Sequence, residues 1–456
     1  MLPVIALVGR PNVGKSTLFN RLTRSRDALV DNRPGVTRDR LYGRGRVGDK
    51  PYLVVDTGGL ESEEGFFTAA IRHQVYQVVE EAQVVFFLVD HQDGLVPQDL
   101  EIASQLRQTN RDIYVLVNKS EGSEPEMASS EFQELAIGSP IAISAKRGDG
   151  VAQFIDDLLE EFGDVEEETD DNEPKIALVG RPNVGKSTLI NKLVGEHRVI
   201  TSDLPGTTRD SVRIPLQVGD ERYTLIDTAG VRRKARVDEA IEKFSVVKTL
   251  QAVEEANVVV LTLDASSEIG SQDATIAGMI QNLGRSIVVV VNKWDRLGSE
   301  QRKKIRKELE KKLPFLPRAD ILFVSALYGS NIVDVIPAVK KAYNSAMISI
   351  STSSLNRTLE DAVSQTAPPM HNQRPVRLKF AHQAGKNPPI IVVHGNQAES
   401  IPESYKKYLA HYFSKVYRLV GTPLRIIPRS STSNPFKNRK PNKVSFKQRS
   451  GRRRKL

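Results

Sequence analysis

The stretch GRPNVGKSTLFNRL, Gly9 to Leu22, recurs as GRPNVGKSTLINKL, Gly180 to Leu193. Each copy follows a short apolar run and opens a helix-like segment, and each matches G-x-x-x-x-G-K-[ST]. Glycines in such a loop let backbone N–H groups approach phosphates. The lysine reaches the β- and γ-phosphates, and the Ser hydroxyl is a Mg²⁺ ligand. The candidate phosphate loops are therefore Gly9, Arg10, Pro11, Asn12, Val13, Gly14, Lys15 and Ser16, and in the repeat Gly180, Arg181, Pro182, Asn183, Val184, Gly185, Lys186 and Ser187. A single match could be a chance glycine-rich turn. Two matches in the same strand–loop–helix context are not.

Working outward, Gly9, Gly35 and Asp56 return 171 residues later as Gly180, Gly206 and Asp227, whereas Asn118 returns as Asn292 after 174 and Ser144 as Ser325 after 181. Spacing kept over such a length is domain duplication and not a short solenoid repeat. Strand candidates in the first copy are VIALV (4–8), YLVVD (52–56), VVFFLVD (84–90), IYVLVN (113–118) and PIAISA (140–145). In the second they are IALVG, YTLID, VVVLTLD, IVVVVN and ILFVSA. Apolar runs without in/out alternation, separated by helix-like segments, predict an α/β fold: a mostly parallel sheet with flanking helices, and ligands beyond the carboxyl ends of its strands.

The downstream elements choose the nucleotide. Thr37 in PGVTRD and Thr208 in PGTTRD lie in loops able to bring a hydroxyl to Mg²⁺ and an N–H to the γ-phosphate. Asp56 in DTGG and Asp227 in DTAG end apolar strands and can hold the metal through water. The same tetrads supply Thr57, Gly58 and Gly59, and Thr228, Ala229 and Gly230, with Gly59 and Gly230 free to turn an N–H onto the γ-phosphate. The expected Mg²⁺ ligands are thus Ser16, Thr37 and Asp56, and Ser187, Thr208 and Asp227. The expected catalytic groups are Lys15, Thr37 and Gly59, and Lys186, Thr208 and Gly230. Asn292, Lys293, Trp294 and Asp295 end a strand with a carboxylate that can accept from guanine N1 and its exocyclic amine, a pair adenine does not present. Ser325 and Ala326, like Ser144 and Ala145, would add a backbone N–H to the base oxygen. GTP and GDP are therefore the expected ligands.

The first copy reads Asn118, Lys119, Ser120, Glu121, so its base-reading carboxylate stands one methylene further out, and changed affinity or weaker base discrimination is expected there. Leu60 and Val231 follow DTGG and DTAG, where Ras-like enzymes place the Gln that orients the attacking water. Neither side chain can do that.

With 456 residues, 39% of them hydrophobic and 27% charged, the chain is a globular protein of about three domains. No apolar run approaches the ~20 residues that span a bilayer, and no signal-like segment opens the sequence, so a cytoplasmic protein is expected. Zero cysteines exclude disulfides and a thiol nucleophile. The net charge of +9 sits in a tail: Ser430 to Leu456 hold ten Lys or Arg and no Asp or Glu. Glu160 to Glu173 instead hold nine carboxylates in fourteen residues, as a solvated linker would. After about Ser345 a polar stretch, SISTSSLNRTL, leads to strand candidates at 376–380, 389–394 and 424–428 and a helix candidate from Glu403 to Val416, a small α+β module. The expected organisation is a first nucleotide domain over 1–163, a linker over 164–173, a second nucleotide domain over 174–347, the α+β module over 348–429 and a basic tail over 430–456.

Both copies resemble GTPase domains of the TrmE-Era-EngA type. Two in tandem with a small α+β domain resemble the double-GTPase ribosome assembly factors of the Der (EngA) family, over about residues 1–430. The resemblance implies two tandem P-loop GTPase domains and a KH-like C-terminal domain, GTP hydrolysis, and action on assembly of the large ribosomal subunit and its rRNA by a monomer. It also implies monovalent-cation help in hydrolysis, with Asn12 and Asn183 as candidate K⁺ ligands, although each Asn could instead merely favour the loop turn. A KH fold that binds RNA in the usual way uses a GXXG loop. None occurs between Pro368 and Pro428, where Gly395-Asn-Gln-Ala398 comes nearest, so docking of this domain on the GTPase domains is expected at least as much as direct reading of RNA. The tail, with Arg452-Arg-Arg-Lys455, suits salt-dependent phosphate contacts. Two other readings stay open: a GTPase partner of a tRNA-modifying enzyme, and a nucleotide-gated RNA-binding scaffold with incidental turnover.

Overall fold

A computed structural model of the chain describes residues 2–23, 42–57, 78–162, 173–196, 198–199, 213–226, 246–313, 316, 318–371 and 374–430. It forms two compact units, Met1–Ile348 with Leu419–Pro423, and Ser349–Arg418 with Leu424–Leu456.

The first unit holds two sheets of the same plan. Strands β1 (Val4–Val8), β2 (Tyr42–Arg44), β3 (Leu53–Asp56), β4 (Val84–Asp90), β5 (Asp112–Asn118) and β6 (Ile141–Ala142) lie in the order β2-β3-β1-β4-β5-β6. All pair in parallel except β2, which runs antiparallel to β3 at the edge. The second sheet has β7 (Lys175–Val179), β8 (Arg198–Val199), β9 (Ile214–Val218), β10 (Glu221–Ile226), β11 (Val258–Asp264), β12 (Ser286–Asn292) and β13 (Ile321–Phe323), ordered β13-β12-β11-β7-β10-β9-β8. Its antiparallel pairs are β9 with β10 and β8 with β9.

The central strands are largely apolar, with no in/out alternation, because both faces are covered. Ile5 and Leu7 pack into a cluster with Leu18 and Leu22 of the helix Lys15–Leu22 and with Ile155 and Leu159 of the helix Val151–Glu160. Val4, Ala6 and Val8 point the other way, into a larger cluster that also contains Ala177, Val179, Val259 and Leu261 of the second copy. One apolar core therefore runs through both repeats. At its margin, Tyr42 Oη donates to the Thr275 carbonyl at 2.7 Å, and Glu254 Oε1 takes both Arg44 (3.0 Å) and Arg285 (3.2 Å). Burial pulls the Arg285 guanidinium below the usual arginine range, while Glu254 opposes the shift.

Three elements differ from the reading of the sequence. PIAISA shortens to a two-residue strand: Ile143 N still donates to the Val117 carbonyl of β5, but Ser144 N leaves the sheet to donate to the Asp149 carbonyl. Strand β2 (YGR) is an edge strand with little apolar sequence to announce it. The hydroxyl-rich SISTSSLNRTL is mostly a helix, Thr352–Gln365, with Ser351 as N-cap and Leu355, Leu359 and Ala362 buried at helical spacing.

In the second unit β14 (Arg377–Gly385) runs antiparallel to β15 (Ile390–Asn396), which pairs in parallel with β16 (Arg425–Ser430). The helix Glu403–Val416 lies where its sequence period placed it, with Tyr405, Leu409 and Phe413 buried. Residues Leu419–Pro423, although within the C-terminal part of the sequence, group with the first unit. Ile287 N donates to the Gly421 carbonyl at 2.7 Å, and Thr422 Oγ1 donates to the Ala342 carbonyl at 3.0 Å.

The Glu254 cluster yields a test. Glu254→Ala strands the buried Arg285 charge, and denaturant unfolding should show a loss of about 3 kcal/mol, whereas Glu254→Leu with Arg285→Met should cost much less. Equal losses in the two variants would remove the ion pair from the account.

Candidate nucleotide-binding sites

Both phosphate loops leave the carboxyl end of the central strand of their sheet, β1 or β7, and enter a helix, Lys15–Leu22 or Lys186–Glu196. The glycines there are dictated by contact. At Gly9 (φ +152°) a Cβ would lie 2.4 Å from the Leu88 carbonyl, and at Gly180 (φ +153°) 2.3 Å from that of Thr262. At Gly14 and Gly185 a Cβ would meet Asn118 Nδ2 at 2.3 Å and Asn292 Nδ2 at 2.2 Å.

Those two asparagines brace each site. Asn118 Nδ2 donates to the Val13 carbonyl (2.7 Å), and its Oδ1 accepts from Ala145 N (2.8 Å). Asn292 does the same with Val184 (2.8 Å) and Ala326 N (2.9 Å). The amides of Ala145 and Ala326, expected to face a base oxygen, thus donate to the braces. The hydroxyls of Ser144 and Ser325 tighten the adjoining turns by accepting from Arg147 N (3.0 Å) and Tyr328 N (3.4 Å).

Lys15 Nζ reaches across its loop to the carbonyls of Gly9 and Arg10, the latter at 2.9 Å, and Lys186 Nζ spans Gly180 (3.1 Å) and Arg181 (2.9 Å). Asn12 (φ 67°) and Asn183 (φ 61°) hold the left-handed conformation, which Asn tolerates better than most residues. That backbone role accounts for an Asn here without any ion. Both side chains are exposed, as is Pro11, whereas Pro182 is half-buried and Val13 and Val184 are buried.

Ser16 Oγ donates to Asp56 Oδ2 at 2.9 Å, so the hydroxyl and carboxylate picked as metal ligands from opposite ends of the first copy converge. Paired oxygen donors of this kind suit Mg²⁺, a hard cation that keeps several waters. Thr57 Oγ1 is committed elsewhere, to the buried Leu7 carbonyl at 2.7 Å. Ser187 is the second residue of the helix Lys186–Glu196, but its expected partner Asp227 lies outside the described residues, as do Thr37, Gly58, Gly59, Leu60, Thr208, Thr228, Ala229, Gly230 and Val231.

At the base end, Lys119 (φ 61°) and Lys293 (φ 62°) are left-handed, and each ammonium sits 2.5 Å from an aspartate, Asp90 or Asp264. Strand register makes those contacts possible, since Asp90 pairs with Asn118 and Asp264 with Asn292 at the strand ends. Burial pushes the Asp264 carboxyl up, but Lys293 and Ser266 outweigh it and hold it below the ordinary carboxylate range. Ser120 Oγ donates to the Ile143 carbonyl at 2.8 Å. Trp294 packs against Phe323 with ring centroids 4.2 Å apart and planes tilted by 38°, and Arg302 lies over its face, so its ring serves packing, while Asp295 is exposed. Glu121 Oε2 is buried and, among the described residues, has no hydrogen-bond partner. An orphaned acceptor at the base-reading position fits the N–H donors of guanine.

Four residues that the sequence reading passed over complete the sites. Asp90 and Asp264 ended strand candidates and were read only as such. Asp99 and Asp273, fully buried, cap the helices Pro97–Leu106 and Ser271–Leu283 and hold the loop arginines: Arg10 Nε lies 3.4 Å from Asp99 and Arg181 Nε 2.8 Å from Asp273. Burial raises both carboxyls above the ordinary range against the pull of the arginines. Arg10 and Arg181 therefore anchor the loops through their side chains. The recoverable signal was the repeat itself, since both aspartates recur at the 174-residue offset of Asn118.

The sequence profile described as "50S ribosome-binding GTPase" matches residues 4–119 and 175–293, and that described as "KH-domain-like of EngA bacterial GTPase enzymes, C-terminal" matches 349–429. GTPase Der of Burkholderia multivorans is 54% identical over 443 residues, covering 96% of this chain and 99% of that one. The chain belongs to the Der family of GTPases. GTPase Der of Chromobacterium violaceum is 53% identical over 440 residues, covering 96% and 93% of the two chains. A structure of Era in complex with MgGDPNP and nucleotides 1506-1542 of 16S ribosomal RNA is 22% identical, covers 56% of this chain and 92% of that chain, and aligns at a TM-score of 0.30, too low to bear on function. Membership in the Der family makes the chain a guanine-nucleotide-binding GTP hydrolase with P-loop domains and a KH-like C-terminal domain. No helix among the described residues is long and apolar enough to cross a membrane.

Glu121 sets the test for this Der-family site. In the full chain carrying Asp295→Asn, Glu121→Asp should raise the preference for GTP over ATP in displacing a fluorescent guanine nucleotide by about tenfold, roughly one hydrogen bond to a charged group gained. An unchanged preference would show the extra methylene to be harmless.

Proposed function

We propose that the chain hydrolyses GTP to GDP and phosphate at two sites and uses the γ-phosphate to switch its binding to the large ribosomal subunit during assembly. The observation that carries this reading is the duplicated brace: Asn118 and Asn292 each tie a phosphate loop to a base-reading loop with the same pair of bonds. A decayed repeat would have had no reason to keep both.

In this reading Gly9 to Ser16 and Gly180 to Ser187 cradle the phosphates by their amides, with Lys15 and Lys186 exchanging loop carbonyls for β- and γ-phosphate oxygens. Mg²⁺ would be held by Ser16, Thr37 and Asp56, and by Ser187, Thr208 and Asp227, and would neutralise charge developing between the β- and γ-phosphates. Thr37, Gly59, Thr208 and Gly230 would sense the γ-phosphate through backbone N–H groups. Asn118, Lys119, Glu121, Asn292, Lys293 and Asp295 would frame the base. Since Leu60 and Val231 cannot orient water, positive charge from a K⁺ beside Asn12 and Asn183 is the proposed substitute. The family profile's description supports the ribosomal partner, and the ten basic residues of the tail support contact with rRNA.

Sedimentation with ribosomal subunits under GTP, GDP and a non-hydrolysable analogue, with and without 431–456, should show association that follows the nucleotide and weakens without the tail. Indifference to nucleotide would undo the switch. GTP turnover should be at least several-fold faster in K⁺ than in Na⁺ at equal ionic strength and fall in Asn12→Ala and Asn183→Ala. Equal rates in the two salts would leave these asparagines only their turn-forming role.

A further inference from the structure

One face of the second unit's sheet carries an ordered array of side chains, exposed at Phe380 and Ile427 and buried at Val392. Strand register sets Phe380, His394 and Arg429 in one row across β14, β15 and β16, and His382, Val392 and Ile427 in the next, with Ile390 opposite Arg425 beyond. Residues paired across strands share a face, so these side chains lie together. The other face presents Ala381, Ile391 and Val393, which are fully buried, and the helix Thr352–Gln365 sits there, with Asn356 Oδ1 accepting from Ala381 N at 2.7 Å.

The rings of that array are stacked. Phe380 and His394 have centroids 4.3 Å apart and planes 9° from parallel, and His394 and His382 follow at 5.1 Å and 21°. His394 is the middle ring. Burial, His382 and the Arg429 guanidinium together hold its imidazole below the usual histidine range, so it is neutral at pH 7. Phe380, at one end of the stack, is 43% exposed, and Ile427 is 40% exposed. Large apolar groups are thus left in water beside a π-stack that ends in an accessible ring.

The charge around this array has one sign. Residues 374–430 include ten Lys or Arg and two Glu. Neither glutamate belongs to the paired rows: Glu399 accepts from Ser430 N, and Glu403 is paired with Lys406. Arg425 and Arg429 stand on the same face as the rings, and Arg377 and Lys379 are exposed on β14.

The geometry points to this face as a docking surface for an unpaired RNA strand, whose bases continue the stack on Phe380 and whose phosphates meet Arg425, Arg429, Arg377 and Lys379. Stacking platforms with a basic surround bind single strands with little sequence preference, because every base has a π-face. The same chemistry on an open sheet is a known route to RNA when no GXXG loop is present to clamp the backbone. A protein partner would be a poorer match: guanidinium groups and half-exposed imidazoles interrupt the apolar area. This inference shares an RNA partner with the proposed function but does not depend on nucleotide switching.

The test uses the full chain and two fluorescent strands of equal length, about ten nucleotides: one of oligouridylate, and one with abasic sugars on the same phosphate backbone. At moderate salt, fluorescence anisotropy should show the base-bearing strand bound at least tenfold more tightly than the abasic one. Phe380→Leu, which keeps an apolar side chain but no ring, should abolish most of that difference, in line with the ~5- to 150-fold spread for one stacked base. Removal of 431–456 should weaken both strands alike and leave their ratio intact. GTP turnover in Phe380→Leu should equal that of the parent chain, which also reports that the variant is folded. As a readout independent of any variant, a 4-thiouridine strand should crosslink to a peptide within 377–396. Equal binding of the two strands, a crosslink elsewhere, or an undiminished ratio in Phe380→Leu would each overturn the inference. Loss of subunit sedimentation in Phe380→Leu without any base preference would assign the face to a protein instead. Nucleotide-dependent sedimentation that survives without base preference would leave the proposed function standing and remove only this site.

Discussion

A single carboxamide sets the geometry of each nucleotide site. Asn118 gives its N–H to the phosphate loop and its oxygen to the turn after β6, and Asn292 repeats the arrangement. Only an amide side chain offers a donor and an acceptor on one short rigid plane. An aspartate would face the Val13 carbonyl with an acceptor, and a glutamine would overshoot it. Leaving either buried partner unmet costs about 1–3 kcal/mol. The neighbouring glycines follow from the same contact, since any Cβ at Gly14 or Gly185 would occupy the space of the amide nitrogen. The distance between the phosphate loop and the turn after β6 or β13 is therefore fixed by the brace and by the strand register beneath it.

Much of this was legible in the sequence because the strands are buried on both faces and so read as unbroken apolar runs. VVFFLVD and IVVVVN are strands to within a residue of where their composition put them. The phosphate loops were legible because glycine and lysine have few alternatives at those spacings. The edge strand Tyr42–Arg44 was not: it owes its state to a neighbour's unpaired backbone and not to its own apolarity. The helix Thr352–Gln365 was hidden by its serines and threonines, although Leu355, Leu359 and Ala362 carried its period. Least visible were Asp90, Asp99, Asp264 and Asp273. An aspartate at a strand end or a helix start has an ordinary local explanation, and its ion pair with a distant lysine or arginine exists only once the chain is folded.

The two copies agree in their phosphate loops and part at the turn that follows Asn118-Lys119 and Asn292-Lys293. Glu121 keeps one carboxylate oxygen buried and without a partner among the described residues, whereas Asp295 stands exposed on a short turn of 3₁₀ helix beside a tryptophan packed under arginines. Duplication conserved the parts whose geometry is set by backbone contact. The copies diverge at the turn after the Asn-Lys pair, where Glu121 stands in one and Asp295 in the other.

The apolar cluster that runs from Val4 and Val8 to Val259 and Leu261 gives the acidic stretch between the repeats an unexpected status. Each half supplies part of the other's interior, with Glu254 accepting arginines from both. A chain severed within residues 163–172 would consist of two fragments that are each other's missing surface. Such fragments should find one another as a non-covalent pair. What joins the two GTPase halves is then the interior they share.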